Sequence, residues 1–521
     1  MASVAMERGT AQWSSRFAFI MAAVGSSVGL GNLWRFSAEL GTNGGAAFLI
    51  IYVACILFVG IPVLMAEYVI GRAGRASSAV GSSDDLADRS GVSRIWSSGA
   101  WFGMIASFLI VSFYCVVAAW VLAYIPKFLF GGFSGMDPDT IAKQFGIMIS
   151  GDEATGKGGP LSVLPYFLFF GLLTTWLVAR GVNKGIEFAA KLLMPLFFVL
   201  LIGLALFSIF SSISSGGTVD AINFMFSLDL SGGISNIKFN PDFTKITPEV
   251  AQSALGQACF SIGIGNAIMI TYGSYLPRDV SIPKSSVLVS VVDTCVAIIA
   301  GLAIFPIVFA NNLDFEAGAG IFFQTLPTAF ASAPGGSFVG AAFFFLAFFA
   351  AITSSVSLLE PSVAWLAEKT GWTKRKAAWI TGGAIMTLGL GSLVSPAFFN
   401  FIDTGLTGPI LAPLSGLLVV LFTGWRLNKA IIAEELAGPG QKLGEFIFVF
   451  VRYIAPIFMG YILIGGVWDK YQDVGLVNWV GSQVIDHGLL LILAGAIVYY
   501  LKEIATGLNL EKETNNSNRE N

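Results

Sequence analysis

The chain is short of the residues on which catalysis, metal binding and solubility depend. Of its 521 residues, one is histidine, four are cysteine and only 12% are charged. The lone histidine, His487, falls at an expected helix end with no nucleophile–base pair in view, so the chain is not read as an enzyme. Cys55, Cys115, Cys259 and Cys295 all lie inside apolar stretches, leaving no loop pair for a disulfide framework or a zinc site. A formal net charge of −3 gives no reason to expect a nucleic-acid partner. Polar helix faces at a 3.6-residue period, which a soluble all-helical protein would need, are missing as well.

Hydrophobic residues fill the space these absences leave. They make up 55% of the chain, with 45 Phe and a mean hydropathy of +0.77. Apolar runs of about 20 residues each suffice to cross about 30 Å of hydrocarbon. Twelve are counted, centred near Val28, Phe58, Val111, Leu172, Leu200, Gly263, Ala297, Ala350, Met386, Leu414, Phe458 and Leu493. The expected fold class is an all-α integral membrane protein. Basic residues collect in the N-terminus and alternate loops, among them Arg8, Arg16, Arg72, Arg75, Arg180, Lys184, Arg278, Lys374, Arg375, Lys376 and Arg426. By the positive-inside rule both termini are expected in the cytoplasm, which an even number of spans satisfies. The first run carries Gly29, Gly31, Asn32 and Arg35 and no small-residue cleavage site, so it is not read as a signal peptide. Asn515-Asn516-Ser517 matches a glycosylation sequon, but by chance, within a polar tail.

One hexapeptide occurs almost twice. Ser27-Val28-Gly29-Leu30-Gly31-Asn32 returns as Ser261-Ile262-Gly263-Ile264-Gly265-Asn266, each copy inside a candidate span. Glycine weakens a helix by about 1 kcal/mol relative to alanine. Small-residue helix packing would explain one copy. Two matched copies, in spans 1 and 6, point instead to paired broken helices around a midplane site. The expected organisation is a segment 1–13, a transporter domain 14–506 and a polar tail 507–521. Within the domain, repeats of about 14–212 and about 249–423 precede appended helices of about 445–506. The apolar loop 311–336 is expected to fold back as a short helical cap.

A broken helix in lipid exposes N–H and C=O groups that something polar must satisfy. The half-helix starting near Gly31 offers amides and a positive dipole end to a carboxylate. The half ending near Gly25 to Val28 offers carbonyls to a hard cation. Asp293 and Glu67 are intramembrane carboxylates and therefore functional candidates, with Glu67 read as a buttress for broken backbone. Thr353-Ser354-Ser355 offers hydroxyls, directed inward or bonded back to the preceding turn. Arg35 and Asp403 are either a gate-closing salt bridge or two independently snorkelling charges.

These motifs resemble the neurotransmitter:sodium symporter family, especially its bacterial amino-acid transporters. The resemblance spans roughly residues 10–470. It rests on Val28 to Phe36, on Asn43-Gly44-Gly45-Ala46-Ala47-Phe48, and on Gly60-Ile61-Pro62 with Glu67 and Gly71-Arg72. Gly185-Ile186-Glu187 with Lys191 and Met194-Pro195, Gly256-Gln257, Thr271 to Leu276 and Thr353-Ser354-Ser355 extend it. It implies the leucine-transporter fold, a 5+5 inverted repeat of twelve helices with helices 1 and 6 broken, in a bacterial inner membrane. A first sodium site would use the Ser27 carbonyl, Asn32, Ser261, Asp293 and the substrate carboxylate. A second would use Gly25, Val28 and Ala350 carbonyls with the Thr353 and Ser354 hydroxyls. The substrate carboxylate would meet backbone N–H groups near Leu30 and Gly31 and the Tyr114 hydroxyl, with Ser27, Gly29, Ser261 and Ser354 also among the substrate-binding residues. Ser26, Ile110, Gly263, Asn266 and Leu358 would shape its side-chain pocket under the lid Phe260. Arg35 with Asp403 would be the outer gate, and Trp13, Tyr275 and Glu368 the inner one.

Departures from the family pattern narrow the expectation. Gly29 stands where monoamine transporters carry Asp, which favours an amino-acid substrate. Ala297 replaces the Ser of chloride-dependent members, so Asp293 is expected to stand in for chloride. Thr10 replaces the inner-gate Arg, leaving Arg8 as a substitute. Gly263 leaves room beside the pocket, so a hydrophobic or aromatic substrate is expected; Asn266, polar where the family is more often apolar or aromatic, keeps a polar substrate as the alternative. A channel or a non-transporting amino-acid sensor are the rivals. Expected partners are an amino-acid substrate and membrane lipid, with a homodimer left open.

Overall fold

A computed structural model describes residues 12–474, apart from 75, 134, 153–157, 230–237, 240, 314–319 and 334. The expected twelfth span near Leu493, the tail 507–521, Arg8, Thr10 and His487 lie outside the described residues. The described part is helical except for one short ribbon, in which Leu228–Asp229 pairs antiparallel with Lys238–Phe239.

Among the described residues, nine helices are long and apolar enough to cross a membrane, and a bent pair makes a tenth. In chain order, the bent pair Arg16–Ser27 and Gly31–Thr42 is span 1, followed by Ala46–Ala73 (span 2) and Arg94–Leu129 (span 3). Pro160–Ala179 (span 4) and Val182–Ser211 (span 5) come next. Span 6 is a second interrupted pair, Pro248–Ile262 and Ile268–Ser274. Spans 7 to 11 are Ile282–Ala310, Gly336–Thr370, Lys374–Val394, Pro396–Arg426 and Gln441–Trp468.

Local chemistry sets the ends of these helices. Hydroxyls of Ser15, Thr247, Ser281, Thr373 and Ser395 accept amide hydrogen bonds at the starts of spans 1, 6, 7, 9 and 10. Proline follows at the first helical turn of spans 6, 7 and 10, where its missing N–H costs nothing. Several helices contain one wide turn in which an amide reaches five residues back, such as Phe36 to Gly31 and Ala455 to Phe450. Such turns locally bend the helix and release carbonyls from the ladder.

Two features position the centre of the bundle. Span 2 meets the second half of span 6 backbone to backbone: a Cβ on Gly71 would land on the Ile270 carbonyl, and one on Gly273 would sit 3.1 Å from the Tyr68 Cα. At the far end from Trp13, the loop expected to form a cap does so, as Ile321–Thr325 running into Leu326–Ser332. Its Phe323 stacks on Phe145 at 4.7 Å and meets Trp34 and Trp120 edge-on at 6.1 and 5.9 Å.

Candidate functional site

Span 1 breaks where the hexapeptide lies. Its first helix closes with the Val28 amide donating to the Val24 carbonyl at 2.7 Å. The Gly29 amide then turns away and donates to Asn32 Oδ1 at 3.0 Å, and the Leu30 amide points to the Tyr114 hydroxyl at 3.5 Å. The carbonyls of Gly25 and Ser26 thereby lose their helical partners. The two halves differ in direction by 51°. Gly29 is required here by close approach: a Cβ would come within 2.6 Å of Ser354 Oγ.

Span 6 breaks over Gly263 to Ala267, with left-handed backbone at Gly263, Gly265 and Ala267. For alanine that conformation costs roughly 1–2 kcal/mol. Compensation comes from buried Glu67, whose Oε1 accepts from the Gly265 amide at 2.7 Å, the buttress expected of it. The Ser107 hydroxyl donates to the Asn266 carbonyl. The Asn266 side chain is left almost idle. Its Nδ2 makes one long bond to the Gly263 carbonyl at 3.4 Å, and its Oδ1 is buried with no partner.

The residues expected to form the first sodium site converge. Asn32 Nδ2 donates to Asp293 Oδ1 at 2.8 Å and to Ser261 Oγ at 2.9 Å, and Ser261 donates to Asp293 Oδ2 at 2.7 Å. Tyr52 adds a bond to Ser261 at 3.1 Å, and the Ser27 hydroxyl donates to the Ile262 carbonyl at 3.0 Å. Asn32 and Asp293 are fully buried. Asp293 makes no ion pair among the described residues, and a buried carboxylate without a cation is costly. The donors are hard oxygens. Among the described residues no three His, Cys, Asp or Glu side chains gather as a transition-metal site would require.

The second set meets where span 1 crosses span 8. A Cβ on Gly25 would lie 3.3 Å from the Thr353 Cβ, and Ser354 donates to the Ser26 carbonyl at 3.4 Å. The Thr353 hydroxyl bonds back along its own helix, to Phe349 and Ala350 carbonyls at 3.0 and 3.1 Å. Val28 and Ala350 are fully buried beside them in sequence.

A cavity of about 690 Å³ reaches this centre from the Arg35 end. Of the expected substrate residues, Leu30, Gly31, Ile110, Tyr114, Phe260 and Asn266 line it. Ser26, Ser27, Gly29, Ser261, Gly263, Ser354 and Leu358 do not reach its wall. Arg35 and Asp403 both line the cavity but form no ion pair with each other. Arg35 lies 3.6 Å from Glu39, and its guanidinium stacks over the Phe260 ring at 4.6 Å. The opposite end is shut. Trp13, 3% exposed, donates from its indole to the Tyr272 carbonyl at 3.1 Å and from its amide to the Tyr275 carbonyl at 3.2 Å. Its ring packs on Tyr272 at 5.1 Å and Tyr275 at 6.2 Å.

At this closed end, sequence reasoning missed a residue. The Tyr275 hydroxyl donates to Glu360 at 2.7 Å, and Glu360 pairs with Lys374. Glu368, expected as part of the inner gate, accepts the Ser78 amide at 2.8 Å. Glu360 lies within apolar span 8, the signal that had singled out Asp293 and Glu67, and so was findable.

Comparison with known proteins agrees with this geometry. The family model described as Sodium:neurotransmitter symporter family matches residues 10–133 and 163–480. An uncharacterised sodium-dependent transporter of Bacillus subtilis, YhdH, is 33% identical over 468 residues, covering 87% of this chain and 96% of the relative. A bovine sodium-dependent neutral amino acid transporter, B(0)AT2, is 26% identical over 58% of this chain and 41% of its own length. The crystal structure of MhsT in complex with L-phenylalanine superposes with a TM-score of 0.76 at 37% identity, covering 88% of this chain and 100% of that one. The chain thus belongs to the sodium:neurotransmitter symporter family, as a multi-pass, sodium-dependent membrane transporter and not an enzyme.

Proposed function

We propose that the protein imports a neutral amino acid with a large apolar or aromatic side chain, coupled to two sodium ions, by alternating access. The observation that carries this reading is the Asn32–Ser261–Asp293 cluster, which joins both broken helices to span 7 around an uncompensated carboxylate. Sodium is cargo here, supplying the missing positive charge. The substrate carboxylate completes the same shell from the half-helix at Leu30 and Gly31, beside Tyr114. Each ligand then strengthens the other, and the coupling is reciprocal. Gly25, Val28, Ala350, Thr353 and Ser354 form the second sodium site. Asp293 makes chloride dispensable. The Trp13 end faces the cytoplasm of a bacterial cell, with both termini on that side, so the described conformation is open outward. Two sodium ions with a zwitterion move two charges, each contributing about 2.3 kcal/mol per 100 mV. MhsT, solved with phenylalanine, supports an aromatic substrate.

Asn266 favours a second reading within this class. Asn266 lines the cavity, and its buried, unpartnered Oδ1 suits a substrate whose side chain ends in an O–H or N–H donor. Uptake of labelled amino acids into proteoliposomes under an inward sodium gradient, with counterflow as a second readout, tests the proposal. Sodium-dependent, saturable uptake with counterflow is expected. Binding without counterflow would identify a sensor, and unsaturable sodium flux a channel.

A further inference from the structure

At the Trp13 end, the close of span 10 (Phe422–Arg426) lies against the wide turn of span 11 (Phe450–Ile454). A Cβ on Gly424 would be 3.1 Å from the Arg452 Cα. Four residues after Arg452 comes Pro456, which has no amide to offer the Arg452 carbonyl. That orphan oxygen is taken by the Trp425 indole N–H at 2.9 Å, which fixes the two helices and the Arg452 backbone together.

The arginine side chains in this corner differ from the carboxylate-paired ones at the same end. Arg72, Arg94 and Arg278 are paired with Glu435, Asp88 and Glu434. Arg426 and Arg452 have no carboxylate partner among the described residues; they face only aromatic rings. Arg452 lies 4.8 Å from the Trp425 ring centre and 5.6 Å from that of Tyr453, and Arg426 lies 5.4 Å from the Trp96 ring centre. Arg452 Nε is buried and has no hydrogen-bond partner. Two guanidinium groups on adjacent helices with unspent donors suit a phosphate, which each can grip with two N–H groups. The source of that phosphate follows from the neighbouring surface. Among the described residues, Tyr453, Ile457 and Ile464 are exposed at roughly helical spacing down span 11, an apolar track leading away from Arg452. Trp425 and Tyr453, each half exposed where the close of span 10 meets span 11, are of the residue types that favour the headgroup level.

We propose that Arg426 and Arg452 form a binding site for the phosphate headgroup of an anionic phospholipid, in the leaflet at the Trp13 end, with an acyl chain along span 11. Basic pockets between transmembrane helices hold anionic headgroups by this chemistry, and a lipid bound to the folded state stabilises it. The test is the thermal midpoint of the purified full-length protein in detergent, with added phosphatidylglycerol, phosphatidylcholine or inorganic phosphate. Phosphatidylglycerol is expected to raise the midpoint well above the other two. Arg426→Gln should reduce that gain, and Arg426→Gln with Arg452→Gln should abolish it. Arg180→Gln, which removes the guanidinium stacked on Trp176 at 4.8 Å elsewhere at this end, should keep the full gain. The proposal is overturned if the double variant keeps the gain or if Arg180→Gln loses it equally. Equal gains from phosphatidylcholine, or from phosphate alone, overturn it too.

Discussion

Replacing Asn266 by leucine tests the site where this chain departs most clearly from an apolar pocket. The two side chains are similar in size, so the perturbation is chemical more than steric. Wild-type Asn266 keeps a buried, unpartnered Oδ1, which costs about 1–3 kcal/mol, and gains little from the 3.4 Å contact of its Nδ2 with Gly263. Asn266→Leu should therefore stabilise the substrate-free protein by about 1 kcal/mol, visible as a higher thermal midpoint. A substrate that donates to Oδ1 recovers about 0.5–1.5 kcal/mol, or about 2- to 12-fold in affinity at about 1.4 kcal/mol per tenfold. Competition binding in sodium should then show tyrosine or tryptophan ahead of phenylalanine in the wild type by about that factor. In Asn266→Leu the preference should vanish, chiefly through weaker tyrosine and tryptophan binding. Equal losses for all three amino acids, or a less stable substrate-free variant, would refute the reasoning.

Three further outcomes are expected. Asp293→Asn removes the buried charge facing Asn32 and Ser261, so it should lower apparent sodium affinity by tenfold or more, on the order of the strength of a buried charged contact, or make uptake depend on chloride. Undiminished uptake by that variant in gluconate would sink the charge-replacement idea. Gly265→Ala forces a left-handed alanine against the Ala412 carbonyl and should cost at least about 1–2 kcal/mol of stability. Gly203→Ala, in open space within span 5, should be neutral or stabilising by up to about 1 kcal/mol; thermal unfolding of both compares them. Trp13→Ala removes the seal on Tyr272 and Tyr275, and buried Trp→Ala changes cost about 3–5 kcal/mol. A thiol introduced as Ser357→Cys, at the residue hydrogen-bonded to Tyr272, should label faster in that background; an unchanged labelling rate would show that Trp13 is not the seal.

Much of this site was legible because its signals are local. Glycine pairs inside apolar runs mark breaks, and lone carboxylates at membrane depth mark partners for buried polar groups, which is where the structure puts Glu67, on the Gly265 amide, and Asp293, beside Asn32 and Ser261. Side-chain pairing was less legible because it depends on which rotamer a long side chain adopts across a gap. Arg35 illustrates this, lying on Phe260 and beside Glu39 while Asp403 lines the same cavity unpaired. Glu368 and Glu360 lie eight residues apart on one helix, and spacing alone does not decide which one Tyr275 reaches. The break in span 6 also runs one residue past the repeated motif, to Ala267, which packs so close to Gly103 of span 3 that a Cβ on Gly103 would lie 3.1 Å from the Ala267 Cβ.

The glycine seam between span 2 and residues 268–274 has a mechanical consequence. Backbones in direct contact through Gly71 and Gly273 have no side-chain layer on which to slide, and packed surfaces of that kind move together or separate entirely. Span 2 and the second half of span 6 are therefore expected to move as one body. Spin labels placed on the two should keep a constant separation through the transport cycle. Labels reporting the Trp13–Tyr272 contact should part. A cross-link along the first seam should be compatible with turnover, while one across the second should arrest it.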